Sequence, residues 1–320
     1  MLIVCGPAMD MNEAMSMKGQ GQSDEWGTQP YPVHYSVSRL RVAAIRFLNP
    51  APLMWDFDHP PLAVPLAGRY DIESMMPAQC AERLANGTAD LGLVPITAFT
   101  QSNDLRIIPG CAIASKGAIR SLLLISRVAT GLSGIRSIAS DTSSRATHAY
   151  VQVMARRFWK IPATFTQHAP DLDAMLAACD AALLIGDPAL LALEDRTARQ
   201  ERTGEELLYL DLGAEWHKFT GLPWISALWG VCEEAVRSSD VREQLVSDLI
   251  GSRDAGLAHI DDLADEWAMH IALPRATIHT YLSRNIHYIL DDECLDGLRR
   301  FYELAAACDV LPPVADLRFL

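Results

Sequence analysis

The sequence predicts an α/β fold with mostly parallel sheets, and three observations carry that reading. Short apolar runs of strand length alternate with amphipathic stretches of helix length between residues 40 and 213. The runs are apolar throughout instead of alternating with polar residues, the pattern of strands buried on both faces. Beyond about residue 230 the strand pattern gives way to apolar repeats at helical spacing, which adds a helical C-terminal region.

Each element has its own local warrant. LRVAAIRFLN (40–49) is a compact apolar run ended by Pro50, as a buried first strand would be. A helix is predicted over 77–86, with Pro77 in its first turn and Asn86-Gly87 as its stop. ADLGLVPI (89–96), SLLLISR (121–127) and SIAS (137–140) read as three further strands. THAYVQVMARRFW (147–159) reads as a helix with Val151, Met154 and Phe158 on one face. AALLIG (181–186) and LLYLDLG (207–213) are two more strands, separated by a charged helix around LALEDRTARQ. In the C-terminal region, VREQLVSDLI repeats Val241, Leu245 and Leu249, and HIDDLADEWAMHI repeats Ile260, Leu263 and Trp267. LDGLRRFYEL adds Leu295, Leu298 and Tyr302. Residues 1–38, rich in Gly, Gln, Ser and Pro and without periodicity, read as a disordered tail outside the fold.

The bulk numbers exclude several functions. The chain has 320 residues, 50% hydrophobic and 21% charged, enough apolar material for a real core and a length that suggests two domains. A net charge of −13 argues against nucleic acid as partner. No apolar stretch approaches the length of a membrane span. The start has no Lys or Arg before Lys18 and too short an apolar run for a secretory signal, so a cytoplasmic location is expected. Seven scattered cysteines with no CxxC pair read as reduced thiols.

Several segments taken together resemble one family, the chorismate dehydratases of the futalosine route to menaquinone. RFLNPAPL (46–53) is similar to the family's aromatic-Leu-Asn strand end followed by Pro-Leu, and ASKGAIRSLLLIS (114–126) to its Ser-x-Gly turn leading into a Ser-started strand. SDTSSRATH (140–148) resembles its Asp…Ser-Arg-Thr-Ser loop, and DAALLIGDPAL (180–190) and DLGAEWHKFTGLPWISALW (211–229) match best. The resemblance covers about 40–310. It departs at Ala146, where the family has a hydroxyl residue, and at Ala118, where the family has Pro. A sister enzyme, the 1,4-dihydroxy-6-naphthoate synthase, carries a His-Glu pair where this chain has Gly186-Asp187.

The resemblance implies a two-lobed periplasmic-binding-protein-like (type II) fold with the ligand in the cleft. Lobe 1 would be 39–127 plus 224–320 and lobe 2 would be 128–223, with crossovers near 127–131 and 221–224. The implied reaction converts chorismate to 3-[(1-carboxyvinyl)oxy]benzoate and water, a hydro-lyase step with no metal or organic cofactor. It also implies that the substrate's enolpyruvyl carboxylate takes the ring proton. A solute-binding protein for a small anion is the rival from another class, since fold alone does not decide function.

The candidate catalytic residues are Asn49, Ser121 and Asp187. Asn49 sits at a strand end, where open α/β sheets place ligand contacts, or it caps the turn before Pro50. Ser121 opens a strand. Asp187 offers a base, or caps a helix that starts at Pro188. The candidate binding residues are Ser115, Gly117, Ser143, Ser144, Arg145, Thr147 and Gly186. The run Thr142 to Thr147 lies between a strand and a helix, where hydroxyls and free N–H groups either hold an anion or cap the helix. Lys116 reads as a solvated side chain, and Glu266 with His270 as a surface pair in place of a metal site. Trp224 and Trp229 read as core or as cleft lining. A chain beginning at Ser38 is expected to show the same thermal midpoint and activity as the full chain; circular dichroism and turnover on one preparation check this, and a large drop in either would show that 1–38 packs on the fold.

Overall fold

The computed structural model describes residues 39–141, 145–314 and 316–320. The readings made for 1–38 and for Thr142, Ser143 and Ser144 fall outside the described residues.

Four strands come first: β1 (Leu40–Ile45), β2 (Tyr70–Met75), β3 (Leu91–Pro95) and β4 (Leu105–Ser115). The next five are β5 (Leu122–Arg127), β6 (Ser137–Asp141), β7 (Thr164–His168), β8 (Ala181–Ile185) and β9 (Leu207–Asp211). The last two are β10 (Trp224–Cys232) and β11 (His287–Leu290). They form two sheets, ordered β11-β4-β10-β3-β1-β2 and β7-β6-β8-β5-β9. β1, β3, β5 and β8 fall where the apolar runs predict them. β2, β7 and β11 lie at sheet edges and carry polar residues, so they show no apolar run. β4 contains Pro109 and Gly110, a turn signal in sequence, and accommodates them with Gly110 at φ +92°.

Two expectations are corrected. The sheets are mixed instead of mostly parallel. β1 runs parallel to β2 and β3, and β6 to β7 and β8, but β10 is antiparallel to β3 and β4. β5 is likewise antiparallel to β8 and β9, and β11 to β4. β5 and β10 each arrive from the other sheet, so neither enters its sheet through the same-sheet crossover that a sequential parallel neighbour requires. The second correction follows: β5 belongs to the second sheet, so the first passage between sheets is 116–121 and not 127–131. The second passage, from β9 to β10, ends with residues 221–223.

The C-terminal region is helical, with Ser239–Ala258, Ile260–Trp267, Arg275–Thr280 and Asp292–Ala307. The longest of these bolts down the turn after β1. Ser252, fully buried, donates to the Leu53 carbonyl (2.9 Å) and accepts from the Asp56 N–H (3.0 Å). Between the sheets, Tyr150 from the helix Arg145–Val153 stacks on Trp224 at 3.7 Å and on Phe301 at 3.9 Å, with Trp216 edge-on at 4.9 Å. Trp224 and Trp229 are therefore core residues. Among the described residues no helix is long and apolar enough to cross a membrane.

Gly256 lies against Pro52, and a Cβ at that position would overlap the Pro52 carbonyl. Gly256→Ala is expected to lower the unfolding free energy by about 3 kcal/mol, the upper end for overpacking against an immobile neighbour. Denaturant melts check this; an unchanged midpoint would mean the helix can lift off the turn without cost.

Candidate active site

The cleft between the sheets is built from strand ends. β1 delivers the turn with Phe47 and Asn49, β3 ends at Pro95, and β10 contributes Ser226 and Ala227. From the other side come Ser121 and Leu122 at the start of β5, Ile185 and Gly186 at the end of β8, and Thr147 near the start of its helix. The space is about 430 Å³ with its mouth included. Only about 40 Å³ of it admits a water molecule. That is room for about three waters, and sites for small organic ligands run from about 300 Å³ upward. The two sides of the cleft therefore lie close together, and an organic ligand of ordinary size requires them to part.

The structure brings Asn49, Ser121, Thr147 and Gly186 together in this cleft. Asn49 makes no capping bond, since Pro50 holds the N-cap position of the following turn with no side-chain cap. Its Oδ1 is buried and unpartnered. A buried carbonyl oxygen without a donor carries a desolvation cost of about 1–3 kcal/mol, and a bound donor would remove it. Ser121 is 2% exposed, and its Oγ accepts from the Tyr281 hydroxyl at 2.8 Å. Thr147 is buried in the first turn of its helix. Arg145 opens that helix.

Gly186 adopts φ +60°, and a Cβ there would meet the Phe47 ring at 2.9 Å. Its N–H donates to the Ser121 carbonyl (2.8 Å). Asp187 does not cap its helix: Ile185 holds the N-cap position, without a side-chain bond. Instead Asp187 Oδ1 accepts the Leu48 N–H at 3.1 Å, from the opposite side of the cleft. Burial pushes the Asp187 carboxyl up to about 6, against the smaller downward pull of the Leu48 N–H. It is not among the residues that line the cleft.

Ser115 and Gly117 are not brought into the cleft. The Ser115 hydroxyl donates to the Gly117 carbonyl (2.9 Å) and accepts its N–H (3.3 Å), closing its own turn. Nothing lies within 4 Å of a Cβ built on Gly117, so close approach does not explain that glycine. Lys116 is paired with Asp291 at 2.8 Å and Glu293 at 2.7 Å. Glu266 pairs with His59 (2.9 Å), and His259 stacks on Trp55 at 4.3 Å. His287, Asp291 and Cys294 present ligand atoms within 4.8 Å of one another. Lys116 Nζ already holds Asp291 Oδ2, however, and burial pushes the Cys294 thiol up to about 12, so this group suits a salt link better than a cation. Ser226 and Tyr281 were not singled out from sequence. Ser226 had a faint signal, a lone hydroxyl in the apolar run WISALWGV; Tyr281 had none.

A family model described as menaquinone biosynthesis matches residues 40–307. The chain belongs to the menaquinone biosynthesis family. A chorismate dehydratase from Thermus thermophilus is 27% identical to this family member over 237 residues, covering 71% of this chain and 84% of the relative. A crystal structure of a protein from Archaeoglobus fulgidus superposes with a TM-score of 0.65 at 16% identity, covering 87% of this chain and all of that one. The periplasmic aliphatic sulphonate binding protein of Escherichia coli gives a TM-score of 0.62 at 14% identity, over 88% and 92% of the two chains. These likenesses show the two-lobed periplasmic-binding-protein-like (type II) fold for this member of the family.

The Asp187 contact gives a pH test. Its carboxyl titrates near 6 in the folded chain against an ordinary 3.8, so the folded state binds the proton more tightly, and the stability lost grows as pH rises from 3.8 through 6. Asp187→Asn keeps an acceptor for the Leu48 N–H and removes the titration. The thermal midpoint of the variant relative to wild type is expected to climb across that window and level off above it. A difference that is flat with pH would show the carboxylate is not held in a dry site.

Proposed function

We propose that this chain is a chorismate dehydratase, a carbon–oxygen lyase that converts chorismate to 3-[(1-carboxyvinyl)oxy]benzoate and water. The observation that carries the reading is the convergence of Asn49, with its orphaned Oδ1, and Ser121 in one narrow cleft of a menaquinone biosynthesis chain. The 27% identical Thermus thermophilus chorismate dehydratase supports the choice of reaction. The family resemblance of the Asn49 and Ser121 segments supports it further.

The chemistry is an elimination. A ring C–H bond breaks, its electron pair becomes the new ring double bond, and the ring hydroxyl departs with its own bonding pair to leave as water with the proton. Aromaticity supplies the driving force, so the protein's part is to hold the reacting conformer and to stabilise charge as it develops. None of the described lining residues is an acid or a base. That supports proton removal by the substrate's own enolpyruvyl carboxylate, with the protein excluding water around it. In this reading Asn49 Oδ1 accepts from the departing hydroxyl, or its amide N–H donates to a carboxylate, and the Ser121 hydroxyl donates to developing charge. Thr147 and the start of its helix receive a carboxylate. Gly186 lets the lobes close, and Asp187 ties the closed lobes through Leu48. The six described cysteines are free, which suits a cytoplasmic setting.

Incubation of the purified chain with chorismate, followed by mass spectrometry, is expected to show loss of one water. Retention of unaltered chorismate in the bound state would favour a small-anion-binding protein instead. Asn49→Ala is expected to cut turnover about ten- to a hundredfold with the thermal midpoint nearly unchanged. Normal turnover with a lowered midpoint would remove Asn49 from the site.

A further inference from the structure

Ser121 lies at the end of the first passage between the sheets, and that passage is tied at every step. Lys116 is held by Asp291 and Glu293, and the Ala118 carbonyl accepts from Asn285 Nδ2 at 2.9 Å. Asp211 accepts the N–H groups of Ile119 (3.1 Å) and Arg120 (2.7 Å). Arg120 sits at φ +65°, a conformation a side-chain-bearing residue keeps only when its surroundings impose it. The Ser121 backbone is fixed in addition by the Gly186 N–H on its carbonyl. What remains is the side chain, and among the described residues one group hydrogen-bonds to it. Tyr281, fully buried at the start of the π-helical turn Tyr281–Asn285, donates to Ser121 Oγ at 2.8 Å.

We propose that Tyr281 is a positioning residue: by donating its phenolic hydrogen to Ser121 Oγ, it fixes the Ser121 hydroxyl so that the serine's own hydrogen points into the cleft. A hydroxyl has one hydrogen and two lone pairs. With one lone pair taken from behind by Tyr281, the rotor has a single orientation in which its hydrogen serves a ligand. Burial pushes the phenol's pKa upward, so Tyr281 stays protonated and remains the donor. A hydroxyl aimed in advance needs no reorientation when charge appears on the substrate, which is where such donors gain their effect. The catalytic consequence rests on the chorismate dehydratase reading; the placement of the hydroxyl does not.

The test uses the full chain with Tyr281→Phe, Ser121→Ala and the double variant. Tyr281→Phe keeps the ring and its packing, and the thermal midpoint of each variant is recorded. Crystal structures of wild type and Tyr281→Phe are expected to show Ser121 Oγ in one rotamer in the first and spread over several, or turned from the cleft, in the second. With chorismate, Tyr281→Phe is expected to lower kcat about tenfold with KM changed less than about threefold. In the Ser121→Ala background it is expected to change kcat no further. An unmoved Ser121 in the Tyr281→Phe crystal, or the same tenfold loss in the Ser121→Ala background, overturns the proposal. If wild type leaves chorismate unchanged while Ser121 still reorients in the variant, the positioning stands and the substrate reading falls.

Discussion

Gly186 follows β8 directly, with a positive φ and the ring of Phe47 standing where its side chain would begin. Three contacts depend on that backbone geometry. The Gly186 N–H reaches the Ser121 carbonyl, the ring from the far lobe packs flat against the glycine, and the next residue turns its carboxylate to the Leu48 N–H. Any other residue would meet both penalties at once, a strained φ and an aromatic ring within contact distance. The same few atoms therefore close the lobes, seat Ser121 and bring the Asn49 turn over the cleft.

The cleft that results is apolar in its walls and neutral in its polar groups. For a chain with a net charge of −13, this makes anion recognition a local matter. On the proposed chorismate dehydratase reading, long-range attraction does not assist the doubly charged substrate, and hydroxyls, an amide and N–H groups at a helix start would have to bind it. Such donors gain strength from the exclusion of water, since a hydrogen bond is electrostatically stronger in a medium of low polarity. The tight fit of the closed lobes and the absence of charged lining groups among the described residues belong to one design.

How much of this was legible in the sequence depends on where each signal resides. Strands buried on both faces, such as β3 and β8, announce themselves as unbroken apolar runs, whereas β2 and β7 carry the polar residues that edges require. Asn49 before Pro50 reads locally as a turn cap and was legible as a site candidate only through the family resemblance, whereas Thr147 and Gly186 stand at a helix start and a strand end, positions that local pattern marks. Ser115 misled for the same reason: a serine two residues before a glycine is also the signature of a turn that satisfies itself. Tyr281 lies 160 residues from the hydroxyl it touches. Only the packing of the C-terminal helices brings the two together, and no spacing rule reaches that far. The passage at 116–121 was placed late because β5 is apolar enough to suit either sheet.

The position of β10 has a consequence for how the chain comes into being. It pairs on one side with β3 and on the other with β4, yet it is made only after the whole second sheet has been translated. The inserted lobe draws its strands from one continuous stretch and can condense by itself, with contacts of modest sequence separation. The host lobe cannot. Until β10 leaves the ribosome, β3 and β4 each present an open hydrogen-bonding edge, the kind of edge on which unfinished chains join one another. The host sheet is thus joined by the late insertion of a central strand, with only the edge strand β11 still to follow, and ribosomal stalling between β9 and β10 leaves the nascent chain at its most adhesive.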